Sequence, residues 1–217
     1  MGLLNRRNLI IAATAGVLTV PAAFGLVGCK GAAEKVEAED MTLGDPNAPV
    51  KMIEYASVAC PHCAVFNNEV WPEFKKKYVD TGKVYYISRE MLTGQAQVAA
   101  AGFLIARCAG KDKYFIVTDQ IYRSQPEMFA DGTASGAKAV LQRIANSAGL
   151  SDDQFDKCVS DSKALEALNK RNETYATRDH IDGTPTFIMN GKEVASGEVT
   201  LAQMDAAVAQ AMASAKK

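Results

Sequence analysis

The chain has 217 residues, 48% of them hydrophobic and 23% charged. That length suits one domain, or one domain carrying a sizeable insertion, and it buries a core without help from disulfides or metals. A formal charge of −1, from 24 basic and 25 acidic residues, leaves no basic field to hold nucleic acid. The same composition excludes collagen-like, disordered and coiled-coil classes, and five cysteines are too few to scaffold a fold this large.

Arg6 and Arg7 precede an uncharged, apolar run from Leu9 to Val27, and no acidic residue comes before Glu34. A positive start, an apolar middle and small residues before a cleavage point describe an export signal. Pro21 and the many Ala and Gly make the run a poor permanent span. Arg6-Arg7 also matches a twin-arginine signal in part, so the export route stays open. Leu26-Val27-Gly28-Cys29 resembles a bacterial lipobox, which implies that residues 1–28 are removed and Cys29 carries a lipid. Soluble secretion and an uncleaved anchor are the alternatives. Export puts the working domain on the periplasmic or cell-surface side, where disulfides persist. Residues 29–43 are expected to be a lipid-anchored tether, because 30–41 is charged and Ala-rich without an apolar period. Its reach is on the order of 20 Å.

Turn formers from Gly44 to Pro49 open the folded domain. Val50 to Val58 is an apolar run of strand length, consistent with a buried strand. After Cys60-Pro61-His62-Cys63, an apolar stripe of Val65, Phe66, Val70, Phe74 and Tyr78 predicts a helix ended by Gly82. Val84 to Ser88 reads as a second strand. Residues 95–177 lack strand alternation and break at Gly110, Pro126, Gly132 and Gly149, which predicts four or five helices. Ser151-Asp152-Asp153 and Ser160-Asp161 look like helix starts. Strand composition returns from Gly183 to Met189, and Asn190-Gly191 signals a tight hairpin to Lys192–Ala195. A last helix, 200–213, carries Leu201, Met204, Val208 and Met212 on one face. The fold class is therefore α/β, with units 44–94 and 178–217 interrupted by an all-helical insertion at 95–177.

A Cys-x-x-Cys at a strand-to-helix junction puts the first thiol at a helix N-terminus, where unpaired amides and the dipole favour a thiolate. Pro61 suits the first turn because its missing N–H has no partner there. His62 adds a donor or positive charge beside Cys60, and Cys63 lies one turn in, toward the core. The layout makes Cys60 the nucleophile and Cys63 the resolving thiol. Haem attachment would need His at position 64, which is Ala. Zinc would need a second ligand pair, and Cys108, Cys158 and His180 are not paired at short spacing. A purely structural disulfide this tight would be strained.

Cys60-Pro61-His62-Cys63, with Glu54 six residues before it and Thr184-Pro185 far downstream, resembles the DsbA-like thiol–disulfide oxidoreductases. The resemblance covers nearly the whole mature chain and implies a thioredoxin fold interrupted by a helical insertion. It implies a cis Pro185 facing the disulfide, with the backbone of Thr184 as an edge for an extended substrate; a trans proline starting an edge strand is the alternative. It makes Glu54, inside an apolar strand, a buried proton relay to Cys63 with a raised pKa; an edge-strand carboxylate in solvent is the alternative. It implies no cofactor beyond the redox-active disulfide, reduced or unfolded exported proteins as substrates, and reoxidation by a membrane quinone-linked partner similar to DsbB. Enterobacterial oxidases of the family carry Val where this chain has Thr184, and Thr there also occurs in isomerase and reductase relatives and in oxidising ones from other bacteria. Isomerases of the group assemble through an N-terminal stalk, for which 30–41 is too short and too polar, so a monomeric oxidase is expected.

With Cys29 lipidated and Cys60 paired to Cys63, Cys108 and Cys158 are left, and an oxidising compartment favours a structural disulfide between them. Some relatives carry a second bridge there. Closing a loop of about 50 residues is worth ~4 kcal/mol in the chain-entropy model. Two buried free thiols are the alternative. Trp71 reads as core, His180 as surface or cap, and Arg89 and Glu90 as strand-end residues that line the site. Three functions compete: a lipid-anchored thiol oxidase, an isomerase or reductase on the same fold, and a Cu or Zn lipoprotein using the same thiols.

Overall fold

In the computed structural model, which describes residues 35–215, the apolar run after the turn cluster becomes the centre of a five-stranded sheet. The strands are β1 (Met41–Leu43), β2 (Val50–Ala56), β3 (Val84–Glu90), β4 (Thr186–Met189) and β5 (Lys192–Ser196), in the order β1-β3-β2-β4-β5. β2 and β3 run parallel, and the other three pairings are antiparallel. Both faces of β2 are covered, which is why it reads as nearly continuous apolar sequence. Val50 and Met52 pack on one face with Phe66, Phe74, Phe187 and Met204, whereas Ile53 and Tyr55 pack on the other with Ile87 and Tyr175. β2 ends at Ala56, two residues before the predicted Val58, and β3 continues two residues past Ser88.

The helix after the motif is built from α1 (Pro61–Val65), a π-turn (Phe66–Val70), α2 (Trp71–Phe74) and a second π-turn (Lys75–Val79). Its buried residues Phe66, Val70, Phe74 and Tyr78 are spaced by four. A regular α-helix overshoots by about 40° every four residues, so such a stripe would wind off the sheet. The wider π-turns, with i→i+5 bonds, bring it back. The hairpin follows its two-residue signal: Asn190 and Gly191 both have positive φ, 47° and 76°. The final helix α9 spans Leu201–Ala215 and buries Met204 and Val208.

Between β3 and β4 lie six helices rather than four or five: α3 (Ala96–Cys108), α4 (Lys111–Arg123), α5 (Gln125–Met128), α6 (Ala134–Ser147), α7 (Asp152–Val159) and α8 (Ser162–Arg178). The extra one, α5, is a single turn with Pro126 at its start, too short for periodicity to reveal. Ser151 makes a capping box with Gln154, and Asp161 caps α8. Among the described residues, no helix is long and apolar enough to cross a membrane.

The expected tether needs correction. Met41–Leu43 pairs with β3, Met41 is buried, and Val36 packs against the Ile53 face of the sheet. The Asp40 carboxylate accepts from the buried Arg89 guanidinium. A three-residue strand shows no alternation, and its anchoring partner lies 49 residues away, so composition alone misreads it. Cys29 and the export signal fall outside the described residues.

Candidate active site

Beyond Ala56 the chain turns, and the Cys60 amide donates to the Ser57 carbonyl at 3.0 Å. Cys60 is then the extended N-cap of α1 (φ −91°, ψ 124°), with Pro61 in the first turn. Both sulfurs are free thiols in this structure, and Cys63 is wholly buried. Their environments differ in sign. A hydrogen bond from Cys63 pulls the Cys60 thiol down to about 5; burial opposes this, while the Thr184 side chain and the amides of Cys63 and His62 assist. Burial pushes the Cys63 thiol up, reinforced by its bond to Cys60 and the charges of Cys60 and Glu54. The arrangement favours one thiolate, on Cys60.

Glu54 sits within β2, 4% exposed, on the face covered by Phe66 and Trp71. Burial raises its carboxyl to about 7; a 2.6 Å hydrogen bond from the Tyr86 hydroxyl lowers it, and the Cys60 charge raises it further. Beside it lies a cavity of about 30 Å³ whose lining residues include Asn67, Ser88 and Thr118 together with Trp71, Tyr86 and Phe115. That is space for about one water.

Three loops converge on Cys60. The Thr184–Pro185 bond is cis, and the Cys60 thiol donates to the Thr184 carbonyl at 3.3 Å. The Thr184 hydroxyl meets the Thr93 hydroxyl, and Ser57 donates to the Thr93 carbonyl at 2.8 Å. Gly94 follows with φ 74°; a Cβ there would collide with the Ala59 carbonyl, so this close approach requires glycine. From the insertion, the Gln125 side chain donates to the carbonyls of Val58 and Cys60, at 2.8 and 3.1 Å.

Cys60, Pro61, His62, Cys63, Glu54, Thr184 and Pro185 therefore meet at one end of the sheet. His62 points outward, its Nε2 3.5 Å from Glu198, and both side chains are exposed. Arg89 and Glu90, expected to line the site, do not. Arg89 binds Asp40, Asp179, the Tyr55 hydroxyl and the Lys35 carbonyl. Glu90 binds Arg107, Arg171 and the Tyr114 hydroxyl. Buried charges need partners on several sides, and these two residues use theirs to tie β3 to the insertion and the N-terminal segment. Trp71 packs on Tyr86 and Phe66 with ring centroids 4.3 and 6.3 Å apart. His180 is exposed, with φ 55°, just beyond the end of α8. Cys108 and Cys158 form a disulfide joining α3 to α7. Among the described residues, no three His, Cys, Asp or Glu side chains gather into a group that could hold a metal. Tyr86, Thr93, Gln125 and Glu198 belong to this neighbourhood without having been singled out. A tyrosine two residues inside a strand that runs parallel to the Glu54 strand was the one available sign.

A family model described as Thioredoxin matches residues 36–210. The chain belongs to that family. Within it the chain is DsbA-like: a Rickettsia felis relative named as a protein-disulfide oxidoreductase is 31% identical over 84% of this chain. The match spans 64% of that relative's length, and 68% of the corresponding Rickettsia bellii relative. Disulfide bond formation protein D of Bacillus subtilis is 23% identical over 70% of this chain and 68% of its own. Among solved structures, Wolbachia pipientis alpha-DsbA1 superposes with a TM-score of 0.75 at 27% identity, covering 83% of this chain and 94% of its own. The mixed sheet with a helical insertion is the thioredoxin fold of these DsbA structures.

Proposed function

We propose that the chain is an extracytoplasmic thiol oxidase that donates its Cys60–Cys63 disulfide to reduced or unfolded exported proteins. The observation that carries this reading is the opposed setting of two sulfurs three residues apart: Cys60 at the extended N-cap of α1 beside the cis Thr184–Pro185 bond, where its proton affinity is lowered, and Cys63 wholly buried, where burial raises it. A substrate thiolate attacks Cys60, the Cys60–Cys63 bond breaks, and the electron pair leaves on Cys63, which takes a proton from Glu54. A second substrate thiolate then attacks the substrate sulfur of the mixed disulfide, and Cys60 leaves as a stabilised thiolate. The substrate gains the disulfide, and the protein holds the dithiol. The Thr184 backbone beside Cys60 offers an edge for an extended peptide. Reoxidation falls to a membrane quinone-linked partner of the DsbB kind, and a lipid on Cys29 would keep the protein, as a monomer, close to it.

A reductase or isomerase is the second reading, favoured by the identity of Thr184, a residue that isomerase and reductase relatives also carry before the cis proline. The deciding experiment is the redox equilibrium of the protein against glutathione, followed by Trp71 fluorescence. A potential of about −120 mV, as in DsbA, supports the oxidase; about −270 mV, as in thioredoxin, sinks it in favour of a reductase. Metal retained after purification under reducing conditions would instead point to a Cu or Zn carrier.

A further inference from the structure

From the single-turn helix α5, the buried Gln125 side chain reaches the backbone of the turn that carries Cys60. Both protons of its Nε2 are in use, one on the Val58 carbonyl at 2.8 Å and one on the Cys60 carbonyl at 3.1 Å. Val58 is wholly buried, and among the described residues no other donor reaches its carbonyl. The Cys60 carbonyl also accepts from the Ala64 amide at 3.1 Å, so Gln125 fastens the first turn of α1 from outside.

The remaining holds on Cys60 depend on its state. In the dithiol its thiol donates to the Thr184 carbonyl at 3.3 Å. A thiolate sulfur has no proton to donate, so that contact is lost on ionisation, whereas the bond from Gln125 to the backbone is kept. In the disulfide, the bond to Cys63 ties Cys60 covalently to α1 and duplicates what Gln125 does. The amide therefore restrains Cys60 most when the covalent tie is open.

We propose that Gln125 is a positioning residue through which the insertion holds Cys60 at the start of α1 while the disulfide is open. Its bonds are worth more in the dithiol than in the disulfide, so Gln125 favours giving the disulfide away without touching either sulfur. This inference rests on the reading of Cys60–Cys63 as the exchanging pair.

The test is the equilibrium in which dithiol and oxidised glutathione give disulfide and two reduced glutathiones, run beside denaturant titrations of both redox forms. The proteins compared are wild type, Gln125→Met and Met128→Ala. Gln125→Met keeps the side-chain length but has no donor, whereas Met128→Ala loosens the buried packing of α5 and keeps the amide. Gln125→Met is expected to move the equilibrium toward the disulfide by about two- to tenfold, the factor that one net hydrogen bond is worth. The reduced form should lose more stability than the oxidised form by the same factor. Met128→Ala should weaken both forms alike and leave the equilibrium in place. In wild type, the Gln125 side-chain amide protons should exchange more slowly in the dithiol than in the disulfide, a measurement that needs no variant to fold. An unmoved equilibrium in Gln125→Met would overturn the proposal, as would equal amide exchange in the two forms. So would a Met128→Ala shift of the same size, because the docking of α5 would then carry the effect. An oxidising wild type with any of these results leaves the oxidase reading standing. A wild type that settles near thioredoxin's potential, with the Gln125→Met shift present, sinks the oxidase reading and keeps this inference. A wild type that does not exchange with glutathione overturns both.

Discussion

The molecule carries two cysteine pairs whose surroundings set them to opposite tasks. Cys60 and Cys63 lie three residues apart at a helix N-terminus, beside a cis-proline loop and a buried carboxyl. Cys108 and Cys158 lie 50 residues apart and join two helices of the insertion. Cys60 has amide and side-chain donors arranged around its sulfur, so breaking its bond to Cys63 releases a stabilised anion. The bond between Cys108 and Cys158 closes a long loop, so breaking it frees chain entropy in the unfolded state and relieves little in the folded one. Reactivity in this chain follows from the donors around a sulfur, whereas stabilisation follows from the length of chain a bond encloses.

The sharpest way to break this comparison is to remove one sulfur at a time. Cys60→Ser should reduce exchange to the uncatalysed level, and Cys63→Ser should accumulate the mixed disulfide, visible on non-reducing gels. The Cys108→Ala/Cys158→Ala pair should keep exchanging while losing about 4 kcal/mol of stability in denaturant titration, with the Cys60 titration unmoved. A changed Cys60 titration in that pair would show that the two regions are coupled.

The next largest effects depend on pH. Cys60 is depressed from 9.0 to about 5, so its contribution to the reduced fold is complete above pH 9 and lost as pH falls through 5. The melting temperature of the reduced protein, relative to the oxidised one, should fall steadily across that window. Glu54 is raised from 4.5 to about 7, which reverses the sign. The stability it confers is present below 4.5 and lost as pH rises through 7. Against Glu54→Gln, reduced wild type should lose about 3 kcal/mol over that interval, read from paired denaturant titrations. The smallest effect is expected at the exposed Glu198. Glu198→Gln removes a negative charge beside His62 and should make the protein more oxidising, by at most about fivefold, with the gain vanishing at high salt.

The sequence showed the site through features that are local along the chain. The helix-start position of Cys60, the interior placing of Glu54 in an apolar run and the Asn190-Gly191 turn are each decided by neighbours within a few residues. Thr184-Pro185 was found through a family pattern, since nothing in its own stretch says that it faces Cys60. Tyr86, Thr93 and Gln125 stayed hidden because they reach the site only through sheet pairing and the docking of the insertion, from 32 to 67 residues away. The Arg89 and Glu90 assignment failed for a related reason. A strand end next to a reactive turn looks functional, yet the sequence does not show the three carboxylates that surround Arg89, or the two arginines and the tyrosine hydroxyl that hold Glu90. The π-turns were encoded in the four-residue spacing from Phe66 to Tyr78, which a regular helix cannot keep on one face.

The anchoring of residues 35–43 decides at which end of the sheet the chain enters the fold. β1 runs antiparallel to β3, so Met41 lies opposite Ser88, close to where β3 leaves the sheet. β2, in parallel register with β3, leaves at the same end and leads into Cys60. The buried Arg89 grips Asp40 and the Lys35 carbonyl there. Anything that pulls on the N-terminal side of Lys35 therefore tugs on the end of the sheet that bears the reactive sulfur.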